Sequence, residues 1–300
     1  MENERVSPVT VFLVMGSGVL AISFGSILIK LAHDVPPVMI AAYRLVFSSI
    51  ILIGIMRVKS LPFERMNGRE WLGCLFSGIF LALHFITWIT SLSYTSVASS
   101  VVLVTMNPIF VGLISYIVLK ERQSIALVAG IILSVTGSIV LALSDSGLEG
   151  LQITDSTALL GDMLALTGAL MASLYLIIGS RIRERISLMT YITAVYTISA
   201  VVLVVTSLFI GLSFTGYRPE SYMYMFLLAV LPQLIGHTSF NWGLKYLKSS
   251  MVAVITLGEP VGASVLAYFI LGEKVSIGQG IGIALIFAAI VTASRSGGKT

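Results

Sequence analysis

Glu259 stands between Gly258 and Pro260 in the middle of an apolar run from Val252 to Leu271. An ionisable side chain at that depth of a hydrocarbon-length helix is costly and reads as functional by default. It could bind a substrate amine or exchange a proton. It could also accept hydrogen bonds from backbone amides freed near a kink, because Pro260 lacks an N–H and disturbs the helix ladder. The layout occurs twice. Met106-Asn107-Pro108 lies inside an earlier apolar run that closes with Lys120-Glu121-Arg122, as the later run closes with Gly272-Glu273-Lys274. Only the second copy keeps a charge, so any step that needs one belongs to Glu259 alone.

Two polar stripes accompany these breaks. Ser77, His84, Trp88 and Ser91 follow a 7-4-3 spacing, and Gln233, His237 and Asn241 follow a 4-4 spacing with Trp242 beside them. Residues so spaced share one helix face. Unsatisfied polar groups facing acyl chains cost several kcal/mol each, so both stripes should face a wet cavity or another helix. His84 lies about 20 Å along its span from one side and His237 about 22 Å along its own from the other, at about 1.5 Å per residue. The bland alternative is interhelical hydrogen bonding, worth about 0.6 to 2 kcal/mol per contact. Trp88 and Trp242 could stack on a substrate or pack as bulk. Arg44, about 10 Å past the start of its span by the same rise, could bind a substrate carboxylate, pair with Asp34 or Asp162, or snorkel to the surface. Lys30, at the end of the first span, reads as interfacial. The expected pathway residues are therefore Glu259, Asn107, His84, Trp88, His237, Asn241, Trp242 and Arg44. They would surround a substrate near the midplane, within the third, fourth, eighth and ninth spans and with contributions from the first and sixth.

Other chemistries find little support. His33 sits in a turn, and no short ligand spacing joins the histidines and Glu259 into a metal site. A membrane enzyme using His84, His237 and Glu259 as acid–base groups is the reading from another class, but no nucleophile–base–oxyanion set accompanies them. Neither catalysis nor a cofactor is expected. The lone cysteine, Cys74, sits among apolar residues and reads as a buried structural thiol.

The elements that must position these residues follow from composition. Of 300 residues, 57% are hydrophobic and 11% charged, against about 25% charged in soluble domains. A membrane-crossing helix needs about 20 apolar residues, and ten segments approximate that length: 9–30, 37–57, 71–91, 97–119, 124–143, 158–180, 188–211, 222–243, 250–271 and 277–294. Turn chemistry separates them, as at Pro36-Pro37 and Asn67-Gly68. With the amino terminus in the cytoplasm, fourteen of the eighteen lysines and arginines fall inside and only Arg218 and Lys274 outside. Both termini are thus expected in the cytoplasm of a multi-pass cell-membrane protein. The basic residues, among them Arg181, Arg183 and Arg185, read as membrane-flanking anchors rather than a nucleic-acid surface. Glu149 and Asp155 fall in the longest outer loop.

The chain also repeats itself. A shift of 152 positions places Tyr94 on Tyr246, Pro108 on Pro260, Tyr116 on Tyr268, Glu121 on Glu273 and Gly130 on Gly282. Two repeats, 9–143 and 158–294, are joined by 144–157. Each holds five spans, an odd number, so the second enters the membrane upside down. Inverted repeats build the two alternately open states of secondary transporters around one central site. The expected fold is an all-α membrane protein of ten transmembrane helices in two inverted five-helix repeats.

Ser91-Leu92 through Ala98, Asn107-Pro108 and Leu119-Lys-Glu121-Arg122 resemble, in register with Gly243-Leu244 through Ser250, Glu259-Pro260 and Leu271-Gly-Glu273-Lys274, the drug/metabolite transporter superfamily in its ten-span form of two EamA domains. Pro36-Pro37 with Ala41-Ala42-Tyr43-Arg44 is similar to that family's second span. The resemblance implies export or facilitated passage of small metabolites such as amino acids, with the lipid bilayer and a small-molecule substrate as partners. Asn107 departs from the usual Glu-Pro pair and puts any role for two symmetric carboxylates in doubt. Exchange of nucleotide sugars or phosphorylated compounds is the alternative within transport. It would call for several buried cations, and only Arg44 and Lys30 are at hand. Proton coupling, direction and substrate stay open. So does the use of the small residues Gly130, Ser134 and Ser138, or Gly278 and Gly282, which could serve internal hairpins or a homodimer seam.

Overall fold

The computed structural model describes residues 6–95, 100, 103–118, 120, 123–146, 156–271 and 276–295. Ala98, Glu121, Arg122, Glu149, Asp155, Glu273 and Lys274 lie outside the described residues. Those described form helices and no strand. The first repeat contributes α1 (Pro8–Leu31), α2 (Pro37–Val58), α3 (Gly68–Ser91), α4 (Asn107–Ile117) and α5 (Ile125–Ser146). The second contributes α6 (Ser156–Ile182), α7 (Leu188–Phe209), α8 (Pro219–Gly243), α9 (Ser249–Thr256), α10 (Gly258–Leu271) and α11 (Ile277–Ser294).

Local chemistry starts these helices. Ser7 caps α1 by accepting the Thr10 N–H at 3.1 Å, and α2 begins on Pro37, whose fixed φ suits the first helical position. Asn67, expected as a turn residue, instead forms a capping box. Its Oδ1 accepts the N–H groups of Arg69 and Glu70 at 3.0 Å each, and Glu70 accepts the Asn67 N–H at 2.9 Å. Such a cap is worth about 1 kcal/mol and starts α3 three residues before the apolar run does.

The repeat is visible in the element boundaries. Shifted by 152, the starts of α1 to α5 fall at 160, 189, 220, 259 and 277; the observed starts of α6, α7, α8, α10 and α11 are 156, 188, 219, 258 and 277. Packing follows the same pseudo-twofold relation. α1 lies along α8 as α3 lies along α6; α2 meets its counterpart α7, and α5 meets α11.

Lipid offers no hydrophobic drive for helix association, so close packing of small residues takes its place. A Cβ on Gly130 would stand 2.8 Å from Ala293 Cβ, and one on Gly137 would stand 2.9 Å from the Gly282 carbonyl oxygen. These glycines therefore serve the α5–α11 contact within the chain. Ile125, Ile132, Ile277, Phe287 and Val291 point away from it and are exposed, as residues facing acyl chains would be.

Three spans depart from straight α-helices. In the fourth, the chain turns at 105–106 and restarts as α4; in the ninth it turns at Leu257 and restarts as α10. Pro108 and Pro260 explain both breaks: each lacks an N–H and crowds the carbonyl four residues back, yet is tolerated in a first helical turn. The eighth span, expected as a plain helix from 222, starts at Pro219 and winds as a π-helix over Ala229–His237, around Pro232. π-segments of this kind recur at functional sites.

Candidate functional site

A cavity of about 130 Å³ opens where the two broken spans meet the bundle. Drug-sized ligand pockets run from about 300 Å³ upward, so this one is smaller than those. Val104 and Thr256 lie on its wall. They occupy the positions four before Pro108 and Pro260, so their carbonyls lack the donor an unbroken helix would supply. Serines support the restarts from neighbouring helices: Ser173 Oγ of α6 donates to the Asn107 carbonyl at 3.0 Å, and Ser23 Oγ of α1 donates to the Glu259 carbonyl at 3.2 Å.

Six of the eight expected pathway residues line this cavity: Glu259, Asn107, His84, Trp88, His237 and Arg44. Glu259 is half-buried beside α1, where a Cβ on Gly25 would already stand 3.8 Å from its Oε1. The His84 and Trp88 rings stack nearly parallel, 8° apart with centroids at 5.9 Å, and His84 Nδ1 sits 2.9 Å from the Gly168 carbonyl. His237 meets the Phe85 ring edge-on at 5.4 Å. The stripe read from α3 is divided in use. Ser77 bonds Tyr191 OH at 2.6 Å and Ser91 bonds Ser100 at 2.7 Å, both buried, so the ends of the stripe fasten helices while its middle faces the cavity.

Arg44 corrects two expectations. It neither snorkels nor pairs with Asp34 or Asp162. It is 2% exposed, donates Nε–H to Gln233 Oε1 at 2.8 Å, and lays its guanidinium 4.2 Å from the Phe85 ring centroid. Its charge lies within electrostatic reach of Glu259. Asp34 is occupied elsewhere, by Ser221 and the Arg218 N–H, and Asp162 accepts from Thr95 Oγ1 at 2.7 Å. Lys30 is exposed, as an interfacial residue would be.

Asn241 and Trp242 are not among the cavity's lining residues. The Asn241 side chain is fully buried and bonded to Tyr175 OH at 2.8 Å and Tyr196 OH at 3.2 Å. Trp242 packs on Tyr246, with centroids 4.6 Å apart. The π-turns over Ala229–His237 move Asn241 off the face that a regular 4-4 spacing implies.

Two contributors were not apparent from the sequence. Tyr175 lines the cavity and ties it to Asn241; as one tyrosine in an apolar helix it has no partner nearby in sequence. Arg183, expected as a surface anchor, is 4% exposed. It donates Nε–H to the Asn241 carbonyl at 3.1 Å and a second N–H to the Ile186 carbonyl, holding the end of α8.

Among the described residues, no group of three metal-ligating side chains is close enough to hold an ion. The cavity offers one carboxyl group, one guanidinium, two imidazoles and the Asn107 amide in a largely apolar wall.

Known proteins share this plan. The chain matches the model of the EamA-like transporter family twice, over residues 9–143 and 159–295. An uncharacterized transporter of Archaeoglobus fulgidus is 24% identical over 86% of this chain and 87% of its own. In Bacillus subtilis, the uncharacterized transporter YyaM is 25% identical over 72% of this chain and 68% of its own, and YetK 23% over 95% and 84%. A solved crystal structure, 18% identical, covers 96% of this chain and 98% of that one with a TM-score of 0.81, a likeness of fold. Two family matches that together span both halves, on a ten-span inverted-repeat fold, make this chain a member of the EamA-like transporter family.

Proposed function

We propose that this membrane transporter carries small zwitterionic metabolites, amino acids and their close relatives, by alternating access around the cavity between its repeats. One observation carries the reading: Glu259 and Arg44, an acidic and a basic side chain, face one small, largely apolar cavity at the junction of the two halves. A carboxylate there receives a substrate ammonium group or exchanges a proton for it. Arg44 is the only lysine or arginine lining the cavity among the described residues. That disfavours nucleotide sugars and phosphorylated compounds, whose anionic groups call for several cations. The bias of lysine and arginine supports a cell-membrane protein with both termini in the cytoplasm. The half-helices that restart at Asn107 and Gly258 are the elements that would rearrange between the two states.

Flux of radiolabelled amino acids in proteoliposomes tests the proposal, with Glu259→Gln as the comparison. Uptake should require a sealed compartment and leave the solute chemically unchanged, and the variant should lose rate, affinity or pH dependence. Turnover of a covalent bond in detergent would instead mark an enzyme. Unchanged rate, affinity and pH dependence in Glu259→Gln would remove the carboxylate from both active roles.

A further inference from the structure

The half-helices α4 and α10 both begin at the cavity wall, and their first turns differ in charge. Aligned peptide dipoles give each helix start a partial positive charge, equivalent to roughly half an elementary charge; in α4 Pro108 has no N–H and the Ile109 N–H is given to the Met106 carbonyl at 3.0 Å. The first turn of α10 contains Glu259, whereas the first turn of α4 contains no acidic residue and carries Asn107 at the matching position. One positive end is thus balanced by the protein itself and the other is not.

Two buried side chains on the same wall lack partners. Trp88 is 8% exposed and its Nε1–H has no acceptor; Asn107 is 9% exposed and its Oδ1 has no donor. Both line the cavity. A buried polar group left unpaired is costly, and a ligand that pairs it recovers that cost. Arg44, whose Nε–H is given to Gln233 and whose guanidinium lies on Phe85, adds positive charge to the same cavity.

We propose that the start of α4 is the subsite for the substrate's carboxylate. The carboxylate accepts the Trp88 indole N–H against the first turn of α4, and the substrate's ammonium group serves Asn107 Oδ1 and the Glu259 carboxylate. A second glutamate in place of Asn107 would repel the carboxylate, which accounts for the asymmetry of the Asn107–Glu259 pair. The assignment rests on the zwitterion reading above and adds which end of the substrate goes where.

Two measurements on the full chain separate the two ideas. The first is saturation-transfer NMR with propionate and propionamide on the purified protein. The wild type should bind propionate and not propionamide; Asn107→Asp should abolish propionate binding, and Trp88→Phe should weaken it roughly tenfold, the equivalent of one hydrogen bond. Asn107→Ala, which leaves the site neutral, should retain it. The second is proteoliposome flux of the L-amino acids and their carboxamides, where Asn107→Asp should reverse the preference from acid to amide. Propionate bound equally by wild type and Asn107→Asp, or lost equally in Asn107→Ala, overturns the subsite, whatever amino acids are carried. Binding as expected with no amino acid transported overturns the zwitterion reading and leaves the anion subsite standing.

Discussion

Ser173 donates its hydroxyl to the backbone carbonyl of Asn107 at 3.0 Å, and the inverted repeat answers with Ser23 on Glu259 at 3.2 Å. Both serines also bond the carbonyl four residues back in their own helices, Ser173 to Ala169 and Ser23 to Val19, at 2.7 Å each. Each hydroxyl thus straddles an intact helix and a broken one. Interhelical hydrogen bonds in membranes average about 0.6 kcal/mol and reach about 1.7. Ser23→Ala and Ser173→Ala should each destabilise the fold by that order, and the double variant by nearly the sum, because the two sites are separate. Unfolding free energies in mixed micelles measure all three.

Arg44 and Glu259, one basic and one acidic side chain, face the same cavity. No salt bridge joins them, so any coupling acts across the cavity rather than through a contact. Arg44→Leu should cost about 1–3 kcal/mol, because it leaves the buried Gln233 side chain without its partner. Adding Glu259→Gln should recover part of it, with a coupling of about 0.5–3 kcal/mol in a double-mutant cycle. Strict additivity would mean that the two charges do not interact.

Arg183 and Arg185 differ by two positions and should differ widely in effect. Arg183 is buried on the Asn241 and Ile186 carbonyls, whereas Arg185 is exposed. Hydrogen bonds from a charged donor are worth about 1.5–3 kcal/mol. Arg183→Ala should lower thermal stability by that order, while Arg185→Ala should stay within about 0.5 kcal/mol. Thermal unfolding in detergent compares them directly.

Asp34 supplies a pH-sensitive tether at the turn between α1 and α2. The Arg218 N–H at 2.9 Å and the Ser221 hydroxyl at 2.5 Å hold its carboxyl below the ordinary value of 3.8. Because the folded value is the depressed one, this stabilisation is present in full above the unfolded value, near 3.9. It is lost as pH falls through the folded value. Asp34→Asn should speed hydrogen exchange at Arg218 and its neighbours at neutral pH. Acidifying the wild type below pH 4 should move it toward the variant, whose own exchange should show no further change from this site.

Ten spans and their inversion were legible in the sequence because lipid demands long apolar helices and because the 152-residue shift keeps Pro108 on Pro260 and Tyr116 on Tyr268. The two helix breaks were legible for the same reason: a proline acts on its own turn of backbone, whatever surrounds it. The polar stripes stood out in the sequence, but how each residue is used was not readable there. His84 and Trp88 reach the cavity, while Ser77 and Ser91 on the same face fasten helices.

What the sequence determined alone, then, was local or periodic: span length, the proline breaks, the repeat and the lone charge at Glu259. Tertiary structure decided which polar side chains meet. It took Arg44 to Gln233 across 189 positions of sequence and Asn241 to Tyr175 across 66, and it buried Arg183. A π-turn shifts the facing of every later side chain in its helix, and a partner from a distant span leaves no mark on local periodicity.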